Sequence, residues 1–276
     1  MGDLAVDTEI EGGDGRYRAV LSSDWEIWGP CGGYLAAVLL RAAGVHSQFR
    51  QPATFACHFL GAARFDEVEL ETATLRASRR TESIRVAMRQ EGRPIAEAMV
   101  WTVAESDGFE HDWTEPPAVG RPQDTPTIEE QIPDWEPWYP FWNNVEYRPL
   151  GWMSEEEWEA RRPLQPRYQA WVRYRPTAVF EDPFVEAGRV ALLVDIMGWP
   201  AAHRALDDEA WIAPNLDVNV TFHQSPAGAD YLYLDSEASL AIGGLVGSTG
   251  RIWSADGRLL ASGTQQMMCR PVPVPD

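Results

Sequence analysis

The sequence predicts an α+β protein made of two copies of one unit, each an antiparallel sheet wrapped around a central helix. Three observations carry this. Two Ala- and Leu-rich segments, at 30–44 and 189–206, are apolar nearly all round, as buried helices are. Each is followed by four segments of alternating hydrophobicity, the last two joined by a Gly-bearing hairpin. Landmarks in the two halves stand at a nearly constant separation: 222 − 59 = 163 for Phe59 and Phe222, 230 − 66 = 164 for Asp66 and Asp230, 257 − 92 = 165 for Gly92 and Gly257, and 261 − 96 = 165 for Ala96 and Ala261. A duplication accounts for all three.

In the first copy, Pro30 and Gly32-Gly33 open the helix and Gly44 is expected to close it, the usual start and stop chemistry. Strands follow at about 54–61, 67–78, 81–90 and 94–104, with Glu91-Gly92-Arg93 as the hairpin turn. In the second copy strands are expected near 216–224, 230–240, 242–254 and 258–269, with Asp256-Gly257 at the turn. Leu35, Val38, Leu39, Phe59, Leu192, Leu193 and Phe222 are the expected core. The division is then 1–104 for the first unit, 166–276 for the second, and a Pro- and Trp-rich connection over 105–165 packed on the sheet. So many tryptophans argue against a flexible linker; they are expected to pin the connection, unless some line an apolar ligand tunnel.

Bulk properties bound the function. A net charge of −19 repels nucleic acid and anionic membrane surfaces, although a local arginine cluster could still hold the phosphates of a small ligand. Arg79, Arg80, Arg85 and Arg89 are candidates, with simple solvation as the ordinary alternative. Cys31, Cys57 and Cys269 have neither paired nor metal-ligand spacing, so neither disulfides nor a metal is expected. With no signal-like N-terminus and no run of 18 apolar residues, the expected setting is cytoplasmic.

The duplication locates candidate chemistry by difference. At the landmark spacing Asp195 stands opposite Gly32, Asn215 opposite Pro52, and Gln265 opposite Val100, so three polar residues of the second copy face three that cannot move protons. A carboxylate inside so apolar a helix is costly unless it is hydrogen-bonded or used. Strand alternation leaves open whether Gln265 or Gln266 faces the helix. An Asp and a Gln that merely satisfy each other are the structural alternative.

These residues resemble a known family. Trp28-Gly-Pro-Cys-Gly-Gly-Tyr-Leu and the strand Phe55-Ala-Cys-His-Phe-Leu in the first half are similar to the acyl-CoA thioesterase II (TesB-like) proteins. So are Val194-Asp-Ile-Met, the strand Asn215 to His223, and Asp256 to Gln265 in the second. The resemblance implies a double-hotdog fold and hydrolysis of an acyl thioester by one activated water, without a covalent intermediate or a cofactor. It carries the catalytic Asp to Asp195 and the Gln to Gln265. The family's Thr falls on Asn215, a departure, with Thr221 as the fallback. Asp195 would be the base or orient the water, Asn215 and Gln265 would position it, and the amides of Gly32 and Gly33 at the helix start would hold the thioester oxygen. Acyl-CoA is the implied partner, with medium to long chains favoured by the aromatic connection, carrier-protein thioesters open, and a homo-oligomer possible.

Four readings compete. Cys31 at a helix N-terminus could be a reactive thiol, with packing the simpler account. Hotdog dehydratases pair His with Asp on the helix, and no His accompanies Asp195. A sugar-binding module fits the 13 tryptophans but not the buried helices. The alternative that stays open is a non-catalytic acyl-CoA or lipid-binding hotdog protein.

Overall fold

The computed structural model describes residues 1–161, 163–206 and 211–272. The first half runs from a one-turn helix α1 (Leu4–Asp7) through strands β1 (Glu11–Gly13) and β2 (Arg16–Val20) to helix α2 (Gly32–His46). It then lays down β3 (Gln51–Phe59), β4 (Glu67–Ala77), β5 (Thr81–Gln90) and β6 (Arg93–Val103). A connection bearing α3 (Ile128–Gln131), β7 (Val145–Pro149) and α4 (Glu155–Arg161) leads into β8 (Arg167–Tyr174). The second half continues with α5 (Pro183–Ile196), α6 (Gly198–His203), β9 (Trp211–Ile212), β10 (Asn215–Phe222), β11 (Leu232–Ile242), β12 (Leu245–Ser254), β13 (Leu259–Met268) and β14 (Arg270–Pro271).

Twelve strands form one antiparallel sheet in the order β1-β2-β4-β5-β6-β3-β10-β13-β12-β11-β8-β7. The halves join at its middle, where β3 and β10 pair with Cys57 opposite Val218 and Phe55 opposite Val220. Alternation sets the faces: in β4, Val68, Leu70 and Thr72 point inward between exposed glutamates. The inward side chains close over α2 and α5, giving the expected double-hotdog architecture. No helix among the described residues is long and apolar enough to cross a membrane.

The two helices lie unusually close because glycines face them. A β-carbon on Gly33 would come within 2.6 Å of the Leu192 backbone, and one on Gly44 within 2.4 Å of the Phe184 ring. Gly33 lies early in α2 and meets the late part of α5, whereas Gly44 lies late in α2 and meets the start of α5, so the helices run antiparallel. This corrects the expected end of the first helix. Gly44 does not close it; the helix continues to His46 before Ser47 turns extended, and Gly44 is there to admit Phe184.

Other boundaries also differ. The apolar segment 189–206 is two helices, and α5 begins earlier, at Pro183, where the Asp182 side chain accepts the Phe184 N–H at 2.8 Å. The matching strands keep their spacing (215 − 51 = 164, 232 − 67 = 165, 245 − 81 = 164), but the helices stand only 183 − 32 = 151 and 196 − 46 = 150 apart. Inserting α6 between helix and strand accounts for the difference. Asp195 is therefore not the counterpart of Gly32; by the helix spacing it matches position 44 or 45. Leu35, Val38, Leu39, Leu192 and Leu193 are buried as expected, whereas Phe59 and Phe222 are only half-buried against the core.

The connection divides in two. Residues 105–120 carry no regular element, and Trp113 is exposed. Further on, β7 hydrogen-bonds to β8 and extends the sheet edge, and Trp135, Trp142 and Trp152 pack against the core while Trp138 stays half-exposed.

Candidate active site

The antiparallel packing of α2 on α5 brings the N-terminus of one helix to the C-terminus of the other. Asp195, next to last in α5, is 3% exposed, and its oxygens lie 2.9 and 3.0 Å from where a β-carbon on Gly32 would stand. Asp195 and Gly32, not counterparts in the duplication, are neighbours in space. Asn215, first residue of β10, donates from Nδ2 to Asp195 Oδ1 at 2.6 Å and to the Asp195 carbonyl at 3.0 Å. Burial pushes the Asp195 carboxyl up to about 6, while the Asn215 hydrogen bond and the Gly33 backbone N–H pull the other way. At neutral pH such a group is largely ionised yet close to its titration range.

Gln265 resolves the parity of its strand: it points inward and is 3% exposed, and Gln266 does not share its face. It does not reach Asp195 or Asn215 by a hydrogen bond. Both atoms of its carboxamide are buried without a partner, over Gly198, where a β-carbon would fall 1.8 Å from Nε2. The Ser248 hydroxyl, from the strand paired with Gln265, lies 2.4 Å from the same point. A buried carboxamide with free donors and acceptors in so polar a corner is where a bound water gains most. Thr221 lies elsewhere, exposed on the outer face of the sheet.

The glycine amides separate in role. The Gly33 N–H faces the Asp195 carboxylate and Gly33 itself is buried against Leu192, so of the pair only Gly32 lines the open space. Cys31, the N-cap of α2, is no activated thiol: burial and the neighbouring Asp195 push it well above the usual thiol range. Arg85 is paired on the exposed face with Glu97 at 2.6 Å.

Asp195, Asn215 and Gly32 open onto a cavity of about 1310 Å³. Its wall includes Trp138, Trp142, Trp152 and Trp158 from the connection, and Trp28 and Trp199 from the helix starts. At least four connection tryptophans thus line a cavity. Trp138 stands edge-on to Trp142 at 5.7 Å and stacks on Trp152 at 6.0 Å. Trp28 is held at φ 98°, a strained conformation for an aromatic residue, with its indole N–H on the Tyr139 hydroxyl at 2.8 Å. The sequence did not single out Gly198, Ser248 or the residues after α6; the break Met197-Gly198-Trp199-Pro200 in an apolar run was the one available signal.

Residues 21–103 match the family model described as the acyl-CoA thioesterase N-terminal domain, and residues 117–269 the one described as the acyl-CoA thioesterase C-terminal domain. No curated protein matches the chain. Among solved structures, the chain is similar to a hot dog fold protein of unknown function from Alicyclobacillus acidocaldarius (TM-score 0.80, 19% identity, 98% of each chain covered). It is likewise similar to a putative thioesterase II from Thermobifida fusca (0.79, 22% identity, 98% of this chain and 99% of that one). A third is an acyl-CoA thioesterase II from Mycobacterium marinum (0.78, 19% identity, 98% and 99%). At these identities the likeness to solved structures is one of fold.

Proposed function

The chain belongs to the acyl-CoA thioesterase family, and from that premise we propose that it hydrolyses acyl-CoA thioesters with a water activated by Asp195. The observation that carries this is a buried, hydrogen-bonded carboxylate at the seam of the two helices, opening onto a large apolar cavity. The acyl group occupies the aromatic cavity and the thioester carbonyl comes to rest between Asp195 and the start of α2.

Asp195 takes a proton from the water as its oxygen attacks the carbonyl carbon. Asn215 has both amide hydrogens on Asp195, so it holds the carboxylate, and only its Oδ1 remains to accept from the water. Gln265 fixes the water from the other side. The Gly32 N–H, at the positive end of α2, stabilises the negative charge on the carbonyl oxygen. Collapse of the tetrahedral intermediate breaks the C–S bond, and the departing thiolate takes the proton back from Asp195. The products are the carboxylic acid and the free thiol, and no cofactor enters. The free cysteines support a reducing, cytoplasmic setting.

The test is thiol release from acyl-CoAs of graded length by the wild type, Asp195→Ala and Gln265→Ala. Turnover by the wild type with losses of about a hundredfold or more in kcat for both folded variants is the expected result. One observation favours a second reading: Gln265 is not part of the cavity wall. If acyl-CoA binds without turnover, the cavity belongs to an acyl-binding protein and the polar set is structural.

A further inference from the structure

A basic residue stands in the wall of the aromatic cavity. Arg204 follows directly on α6, a helix whose six residues span about 9 Å at the standard rise. Its guanidinium carbon lies 5.6 Å from the centre of the Trp158 ring, itself part of the wall. Its Nε is buried and has no hydrogen-bond partner, and no carboxylate among the described residues forms an ion pair with it. Tyr147 and Tyr168, whose hydroxyls bond to each other, line the same space. Burial raises both phenols, and the charge of Arg204 counteracts part of that rise, so the three groups lie near one another.

Arg204 is half-buried, and its Nε, buried without a partner, carries a desolvation cost that the contact with the Trp158 face offsets only in part. The Asp195 carboxylate already has its partners, whereas among the described residues no carboxylate pairs with Arg204, although Glu159 also lines the cavity. Building on the thioesterase reading, we propose that Arg204, with the Tyr147 and Tyr168 hydroxyls, binds an anionic group of the substrate roughly 10 Å from the reacting carbonyl. An acyl-CoA can present such a group in two places: a carboxylate at the far end of the acyl chain, or a phosphate of the CoA. The chemistry is shared, a bidentate oxyanion on a planar guanidinium.

Four substrates separate the sources: octanoyl and ω-carboxyoctanoyl thioesters, each on CoA and on N-acetylcysteamine, which has no phosphate. They are compared on the wild type, Arg204→Gln and Arg204→Lys, with thermal melts to verify folding. If the acyl end is read, Arg204→Gln loses about tenfold or more in kcat/KM on both ω-carboxy substrates and little on the plain ones, and Lys restores part of it. If CoA is read, the loss follows both CoA substrates and spares both N-acetylcysteamine ones. Equal losses on all four, or none, overturn the proposal and leave Arg204 a packing residue. Should the wild type turn over none, the thioesterase reading has failed on its own; the matching CoA thioethers, titrated by fluorescence of the cavity tryptophans, then decide. Arg204→Gln weakening only the ω-carboxy thioether, or weakening both CoA thioethers while sparing their N-acetylcysteamine counterparts, upholds the proposal, and an unchanged affinity overturns it.

Discussion

Asn215 gives both hydrogens of its carboxamide to Asp195, one to the carboxylate at 2.6 Å and one to the backbone carbonyl at 3.0 Å. The side chain therefore locks the acid to the end of its own helix and favours its ionised form. Asn215→Ala removes that support while leaving Asp195 buried. Its carboxyl should rise above the wild-type value of about 6, moving the acid limb of the kcat/KM profile to higher pH. Asn215→Thr, the residue type of the resembling family, should recover much of the lost rate. An unshifted limb in Asn215→Ala would show that Asn215 does not set the state of Asp195.

In the wild type, the rate should follow ionised Asp195: flat above about pH 7 and falling about tenfold per unit well below 6. Stability runs the other way. Burial raises the folded-state pKa from 3.8 to about 6, so the folded chain holds this proton more tightly than the unfolded one. That contribution is whole below the unfolded value and is lost as pH climbs through 6. Asp195→Asn keeps the shape without the charge. It should be inactive, yet more stable than wild type by about 1–3 kcal/mol at pH 7.5, with the gain vanishing below about pH 4. Melting temperatures of the pair across pH decide it.

The strands were legible because alternation is a local property: Val68, Leu70 and Thr72 announce the inner face of β4 without reference to the rest of the chain. Asp195 stood out as a carboxylate interrupting an apolar helix, although the match to Gly32 that set it apart does not hold, and Asn215 stood out as a polar residue opposite Pro52. The ends of the helices were not. Gly44 reads as a stop signal in sequence, and only the Phe184 ring from a residue 140 positions away reveals it as a packing contact. The start of α5 was hidden by Glu186 and Arg189, charged residues that are fully buried because they neutralise each other. Arg204 stayed invisible because nothing local distinguishes a cavity-lining arginine from a solvated one.

Gly198 can be tested as the floor beneath Gln265. Any side chain there displaces the carboxamide, since a β-carbon would stand 1.8 Å from Nε2 and 2.4 Å from Ser248 Oγ. Gly198→Ala should lower kcat by about tenfold or more while costing about 1–3 kcal/mol, a typical overpacking penalty. Reducing Gln265 to Ala in the same background should restore part of the stability, the Ser248 contact remaining, but not the rate. A Gly198→Ala enzyme with normal kcat would remove Gln265 from the reaction.

The buried Arg189–Glu186 pair offers a test of what holds α5 in place. Arg189 is fully buried, reaches Glu186 at 2.8 Å through Nε, and caps the Ala178 and Pro226 carbonyls at 2.8 and 3.0 Å. Glu186 in turn accepts the Phe180 N–H. Glu186→Ala leaves an uncompensated charge in the core and should cost about 3–5 kcal/mol. Replacing both by apolar residues of similar volume, Glu186→Leu with Arg189→Met, removes the charges together but orphans the Ala178 carbonyl and the Phe180 N–H, while the Pro226 carbonyl keeps the Ala229 N–H at 3.0 Å. The double variant should therefore be more stable than Glu186→Ala yet remain below wild type, by about 1–3 kcal/mol for the unpaired backbone groups. Denaturant titrations of the three proteins give the comparison. If the single and double variants prove equally stable, leaving the Arg189 charge unpaired costs no more than leaving the backbone groups of the pair unsatisfied.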